Sequence, residues 1–123
     1  MAAIQSFTDL KAWKESHKLV LMIYAAGKQF PQREQFGLTQ QVQRAVVSIS
    51  SNIAEGFSKT SSKEKTQFYR ISLASLTEVQ NQILIARDIQ YLKIIDFNQI
   101  AEQTVLVSKL INGLIKSMKA RTP

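Results

Sequence analysis

Few side chains in this sequence have the type and spacing to do chemistry. Its one histidine, His17, lies on or beside an apolar stripe, where a packing role outweighs a ligand role. Di-iron bundles draw a Glu from each of two helices and a Glu-x-x-His pair from each of two others, and no such pair occurs. Glu55 and Glu78 could serve as acid and base, yet a carboxylate on a bundle helix more often forms a salt bridge, here with Arg44 or Arg87. The remaining acids are scattered, whereas metal-dependent nuclease chemistry needs clustered carboxylates. There is no HExxH, no Gly-rich phosphate loop and no Ser-His-Asp set. With no cysteine, a thiolate nucleophile, a thiolate metal site and a disulfide framework are all excluded. The chain is expected to have no enzymatic activity, no catalytic residues, no metal and no cofactor.

Binding chemistry is better represented. A net charge of +7 attracts polyanions, most simply RNA or DNA and less readily an anionic membrane surface. Whether Lys and Arg act together depends on the elements that carry them. At 45% hydrophobic and 20% charged, with only 4 Gly and 2 Pro, the chain reads as globular and helical. Its 123 residues form a single domain, 1–123, with a short N-terminal arm 1–7 and a basic C-terminal tail 119–123.

The stretch Leu38 to Phe57 carries two faces of one helix. Leu38, Val42, Ala45, Val46, Ile49 and Ile53 recur at steps of three and four and must face a core. Beside them Gln41, Arg44, Ser48, Asn52 and Glu55 form a polar stripe. Such a stripe is either a row of hydrogen bonds between helices or subunits, or a ligand surface. Gly56 is the expected left-handed stop.

Ahead of it, Thr8 or Asp9 is placed to cap a first helix with a stripe of Leu10, Trp13, His17, Val20 and Tyr24, widened by Leu19, Ile23 and Phe30. That helix should end near Gln29, because Pro31 pushes its predecessor away from helical geometry. Ser61 and Glu64 have capping-box spacing, so a third helix should start near Ser62 and run to about Tyr91, with Phe68, Ile71, Ser75, Leu76, Val79, Ile83 and Ala86 inward. Asp96 and Gln99, with Ile95 and Ile100 as a staple, mark a fourth helix carrying Ile100, Thr104, Val107, Leu110, Ile111, Leu114 and Met118.

Four amphipathic helices on short connections predict an all-α, antiparallel up-down-up-down four-helix bundle. That topology gathers residues 9–28, 58–70 and 109–121 toward one end, with twelve basic and three acidic side chains. The candidate phosphate contacts are Lys11, Lys14, Lys59, Lys63, Lys65, Arg70, Lys116, Lys119 and Arg121. Lys116 and Lys119 equally suit the dipole at a helix C-terminus. Amides near Ser61 to Lys63 offer an anion site. Trp13, Phe57, Phe68 and Tyr69 are at the same end, for base stacking or for the core.

One string carries a resemblance. Phe30, Pro31, Glu34, Phe36, Gly37, Leu38, Gln41, Arg44, Ala45, Ser48 and Ile49, then Asn52-Ile53-Ala54-Glu55-Gly56, resemble the signature of four-helix-bundle proteins encoded in intervening sequences of bacterial 23S ribosomal RNA genes. Phe7, Leu10 and Trp13 before it, and Phe68, Leu73, Ser75, Leu76 and Glu78 after it, fit the same pattern. Gln43 departs from it where a second basic residue is common, and Ala74 where a glycine is common. The resemblance implies the bundle and assembly into rings, notably homopentamers, but no established activity. A related branch, the accessory variability determinants of diversity-generating retroelements, works with a reverse transcriptase and binds nucleic acid.

The leading expectation is an oligomeric nucleic-acid-binding protein using the basic end. The alternative is an accessory or scaffold protein with a partner such as a reverse transcriptase, in which Asn52 and Glu55 support assembly. The N-terminus lacks the features of a signal peptide, and no run reaches the roughly 18 apolar residues that cross a bilayer. A cytoplasmic protein without membrane partners is expected.

Overall fold

The structure, a computed structural model, describes residues 3–121. Residues 1 and 2 of the expected arm, and residues 122 and 123 of the expected tail, lie outside them. Four helices account for most of the chain: α1 (Lys11–Gly27), α2 (Leu38–Ser58), α3 (Ser62–Asp88) and α4 (Ile94–Arg121). Short 3-10 turns occupy Phe7–Asp9 and Gln32–Glu34, and there is no strand among the described residues. Each helix packs on two neighbours, in the cyclic order α1, α2, α3, α4, and each connection reverses the chain. The result is the expected all-α antiparallel bundle.

On α2 the inward row is the one the spacing predicts: Val42, Ala45, Val46, Ile49 and Ile53 are buried, with Leu38 at the margin. On α1 the stripe is rotated. Ala12, Ser16, Leu19, Ile23 and Ala26 face inward, while Trp13 and Val20 are half-buried and His17 and Tyr24 are exposed. Small residues at the innermost positions let α1 sit close on α2 and α4, so the bulkier side chains are displaced to its flank. On α3, Tyr69 and Ser72 face inward and Phe68 only partly does, whereas Ile71 is 47% exposed.

Helix ends differ from the sequence reading for local reasons. Neither Thr8 nor Asp9 caps α1, whose N-cap Leu10 makes no side-chain bond; Ser6 instead caps the 3-10 turn, its hydroxyl accepting from Thr8 N–H while the Asp9 carboxylate accepts from Gln5 and Ser6 N–H. Those amides hold the Asp9 carboxyl below its usual range. Gly56 has no positive φ, and α2 continues through Ser58. Its role is close approach, since a Cβ there would lie 2.7 Å from Tyr69 Cε1 and 3.0 Å from Phe68 Cβ. α3 stops at Asp88 rather than Tyr91, because Gln90 takes φ 65° and Tyr91 N–H bonds back to Ala86 O at 2.9 Å, the Schellman pattern. α4 begins at Ile94, so Asp96 lies within its first turn and accepts from Gln29 Nε2 at 2.6 Å instead of capping. Ile95 is 62% exposed, and no staple forms.

Hydrogen bonds cross three of the four seams. Ser48 and Ser75 hydroxyls share one at 2.8 Å, and Ser72 donates to Ile49 O, joining α2 to α3. Gln80 donates to Thr104 between α3 and α4, and Gln103 to Glu15 O between α4 and α1. At the end remote from Lys59, the Glu34 carboxylate accepts from Leu38 N–H at 3.1 Å and from Tyr91 O–H at 2.9 Å, which ties the α1–α2 and α3–α4 connections together.

Candidate nucleic-acid interface

The antiparallel order brings the start of α1, the end of α2, the start of α3 and the end of α4 to one end, and the nine basic candidates with them. They do not form one site. Lys63 and Arg70 stand two turns apart on α3, and Lys119 meets them from the last turn of α4. These three line a shallow groove of about 580 Å³ with Ser62, Thr66, Gln67 and Met118, and no carboxylate is among its described lining residues. Lys116 is exposed one turn before Lys119 on α4.

The other cations divide. Lys65 turns inward: its Nζ donates to Phe57 O at 2.6 Å and to Gly56 O at 3.4 Å, satisfying carbonyls that the end of α2 leaves open. Burial, with Arg121 nearby, lowers its pKa. Lys65 and Arg121 both line a second, more enclosed cavity next to Tyr69. Lys59 lies 5.0 Å from the centre of the Phe68 ring. Lys11 and Lys14 are exposed at the start of α1, which does not touch α3, and neither lines the groove.

The helix start proposed as an anion site already holds a carboxylate. Ser61 Oγ accepts from Glu64 N–H at 3.1 Å and donates to Glu64 Oε1 at 3.2 Å. Of the aromatic candidates, Tyr69 is core, while Trp13 stacks on His17 at 4.8 Å and meets Phe7 edge-on.

The polar stripe of α2 also divides. Ser48 and Asn52 are half-buried: Ser48 bonds to Ser75, and Asn52 Nδ2 donates to Ser48 O at 2.8 Å and to Ser48 Oγ at 3.1 Å. Gln41, Arg44 and Glu55 are exposed. The salt bridges expected of Glu55 and Glu78 do not form. Glu78 accepts from Gln82, and Arg87 pairs with its neighbour Asp88, the one ion pair among the described residues.

Sequence reasoning had named Lys63, Arg70 and Lys119 but missed the groove's Thr66 and Gln67. They sit at the three- and four-residue steps between Lys63 and Arg70, a spacing visible in the sequence. No group of three or more His, Asp or Glu that could hold a metal exists among the described residues, and none of their helices is long and apolar enough to cross a membrane.

Comparisons with known proteins agree with this architecture. The family model for the 23S rRNA-intervening sequence protein matches residues 8–113. No curated protein matches the chain. Among solved structures, a protein of unknown function from the S23 ribosomal protein family of Bacteroides thetaiotaomicron superposes with a TM-score of 0.79 at 20% identity, covering 85% of this chain and 98% of its own. At that identity the likeness is one of fold.

Proposed function

We infer, from the fact that this chain belongs to the 23S rRNA-intervening sequence protein family and from the groove at its basic end, that it is a non-enzymatic, self-associating nucleic-acid-binding protein. The observation that carries this reading is the convergence of Lys63, Arg70 and Lys119 on one groove without a described carboxylate. Grouped cations on a rigid edge suit the regular spacing of backbone phosphates, and Thr66 and Gln67 between them supply neutral donors. Lys59 and Lys116 extend the basic field. Lys65 caps the end of α2 and does not line the groove, so it leaves the set of groove contacts. A ring of copies, a pentamer by family resemblance, would repeat the groove, and weak contacts would then add as avidity. Such binding belongs in the cytoplasm.

The test is an anisotropy titration of nuclease-treated protein against structured RNA and duplex DNA. Three duplex phosphate contacts imply a loss of about 40-fold in affinity between 50 and 200 mM salt. K63E/R70E/K119E should flatten that dependence and weaken binding. Unchanged binding by this variant, or none by the wild type at low salt, would rule the groove out.

A second reading has its own support. Tyr24 is 45% and Val47 38% exposed, and both line a shallow depression with Gln40, Gln43, Arg44 and Ser48. Apolar side chains beside Arg44 suit a protein partner, and under this reading the chain is an accessory or scaffold protein of the retroelement branch that binds a reverse transcriptase. Neutralising the groove would then leave function intact, while Tyr24→Lys would abolish it.

A further inference from the structure

The second cavity at the basic end, about 320 Å³, lies between the ends of α2 and α4 and the start of α3. Leu10, Phe57 and Leu114 contribute apolar wall, and Lys65, Tyr69 and Arg121 contribute polar groups. Tyr69 as a whole is only 2% exposed, but its hydroxyl is not sealed off: it is not one of the buried polar atoms without a partner, and Tyr69 lines the cavity. A phenol O–H at a cavity wall can donate to an acceptor that enters the cavity. Two cations share the cavity, and no described carboxylate lines it to neutralise them. Lys65 gives two of its three protons to Phe57 O and Gly56 O and keeps one; Arg121 keeps its whole planar fork.

We propose that this cavity binds a phosphomonoester, held by the Arg121 fork, the free Lys65 proton and the Tyr69 hydroxyl, with the attached sugar and base against Phe57 and Leu114. A terminal phosphate suits the cavity better than an internal one. It is more enclosed than the neighbouring groove, and an internal phosphodiester would have to carry a sugar in on both sides. The volume lies within the range of about 300–1,000 Å³ usual for small-ligand sites. Arg121 already disfavours the charged form of Lys65, so an entering dianion offsets a repulsion present in the free protein. The phosphomonoester is either a free nucleotide or the end of a strand. Only the strand-end form rests on the nucleic-acid reading above.

Adenosine 5′-monophosphate, adenosine and octanoate are titrated into ¹⁵N-labelled full-length protein. In parallel, one oligonucleotide bearing a 5′-phosphate or a 5′-hydroxyl is followed by anisotropy. The nucleotide should shift the amide signals of Lys65, Tyr69 and Ser117, and adenosine should not. Arg121→Gln should abolish the shift, and Tyr69→Phe, which keeps the ring and the packing, should weaken nucleotide binding by about tenfold. If strand ends are the ligand, the 5′-phosphate tightens binding by about tenfold, and Arg121→Gln removes that preference while leaving the 5′-hydroxyl strand unaffected. A nucleotide response with no strand binding at all would keep this site and end the nucleic-acid reading. The proposal is overturned if nucleotide and adenosine are indistinguishable at these signals, or if octanoate shifts them and the nucleotide does not.

Discussion

At the scale of single residues, two side chains carry more of the structure than their types announce. Gln90 holds a left-handed φ of 65° at the position after α3 where glycine is favoured. Gln90→Gly should therefore stabilise the protein by about 0.5 kcal/mol, read as a raised denaturation midpoint, with no change in binding. Glu34 is a carboxylate whose pKa is depressed first by the Leu38 amide and then by the Tyr91 hydroxyl. A depressed carboxylate stabilises the fold above its unfolded pKa, and that contribution disappears as pH falls through its folded value. The stability gap between wild type and Glu34→Gln should accordingly be widest near neutrality and close in acid, as thermal melts across pH 3 to 7 would show. A Cβ at Gly37 would sit 2.6 Å from Glu34 Oε1, so Gly37→Ala should displace this carboxylate and mimic Glu34→Gln. Neither role was legible in the sequence: the turn at Gln90 has no glycine to mark it, and Glu34 acts on a helix it does not belong to.

At the scale of elements, hydrophobic periodicity located all four helices, and it placed the core row of α2 correctly because Val42, Val46, Ile49 and Ile53 outweigh the one exposed valine, Val47. On α1, where two rows compete, it placed Leu10, Leu19 and Ile23 correctly and misplaced the rest. The bulkier one, Trp13, Val20 and Tyr24, lost to Ala12, Ser16 and Ala26 because inter-helix distance, which no single helix encodes, favours small side chains. Gly56 shows the same principle from the other side. It was read as a helix stop, and it is instead the place where α2 admits the Tyr69 ring. Gly56→Ala should cost about 2 kcal/mol in urea unfolding, since the fully buried ring has nowhere to move. Ala at exposed Gly113, where an added Cβ meets nothing within 4 Å, should be neutral or stabilising.

At the scale of the whole molecule, the charge polarity was legible from topology alone, because alternating helix directions dictate which segments meet. What could not be read was the division of that basic end into a groove, a cap and a cavity, which depends on rotamers and on the rotation of each helix about its axis. Ring formation predicts a light-scattering mass several times that of one chain, holding on dilution to working concentrations. The hydrogen bonds across the seams bear on one more property. An apolar row repeating every three or four residues tolerates a slide of one helix by a turn, about 5.4 Å, because each ridge simply finds the next groove. Ser48 with Ser75, Gln80 with Thr104 and Gln103 with Glu15 break that equivalence, because a slide would part the pairs it separates and their bonds would have to be remade with other groups. They work as the teeth of a vernier, giving an otherwise sliding assembly a single reading.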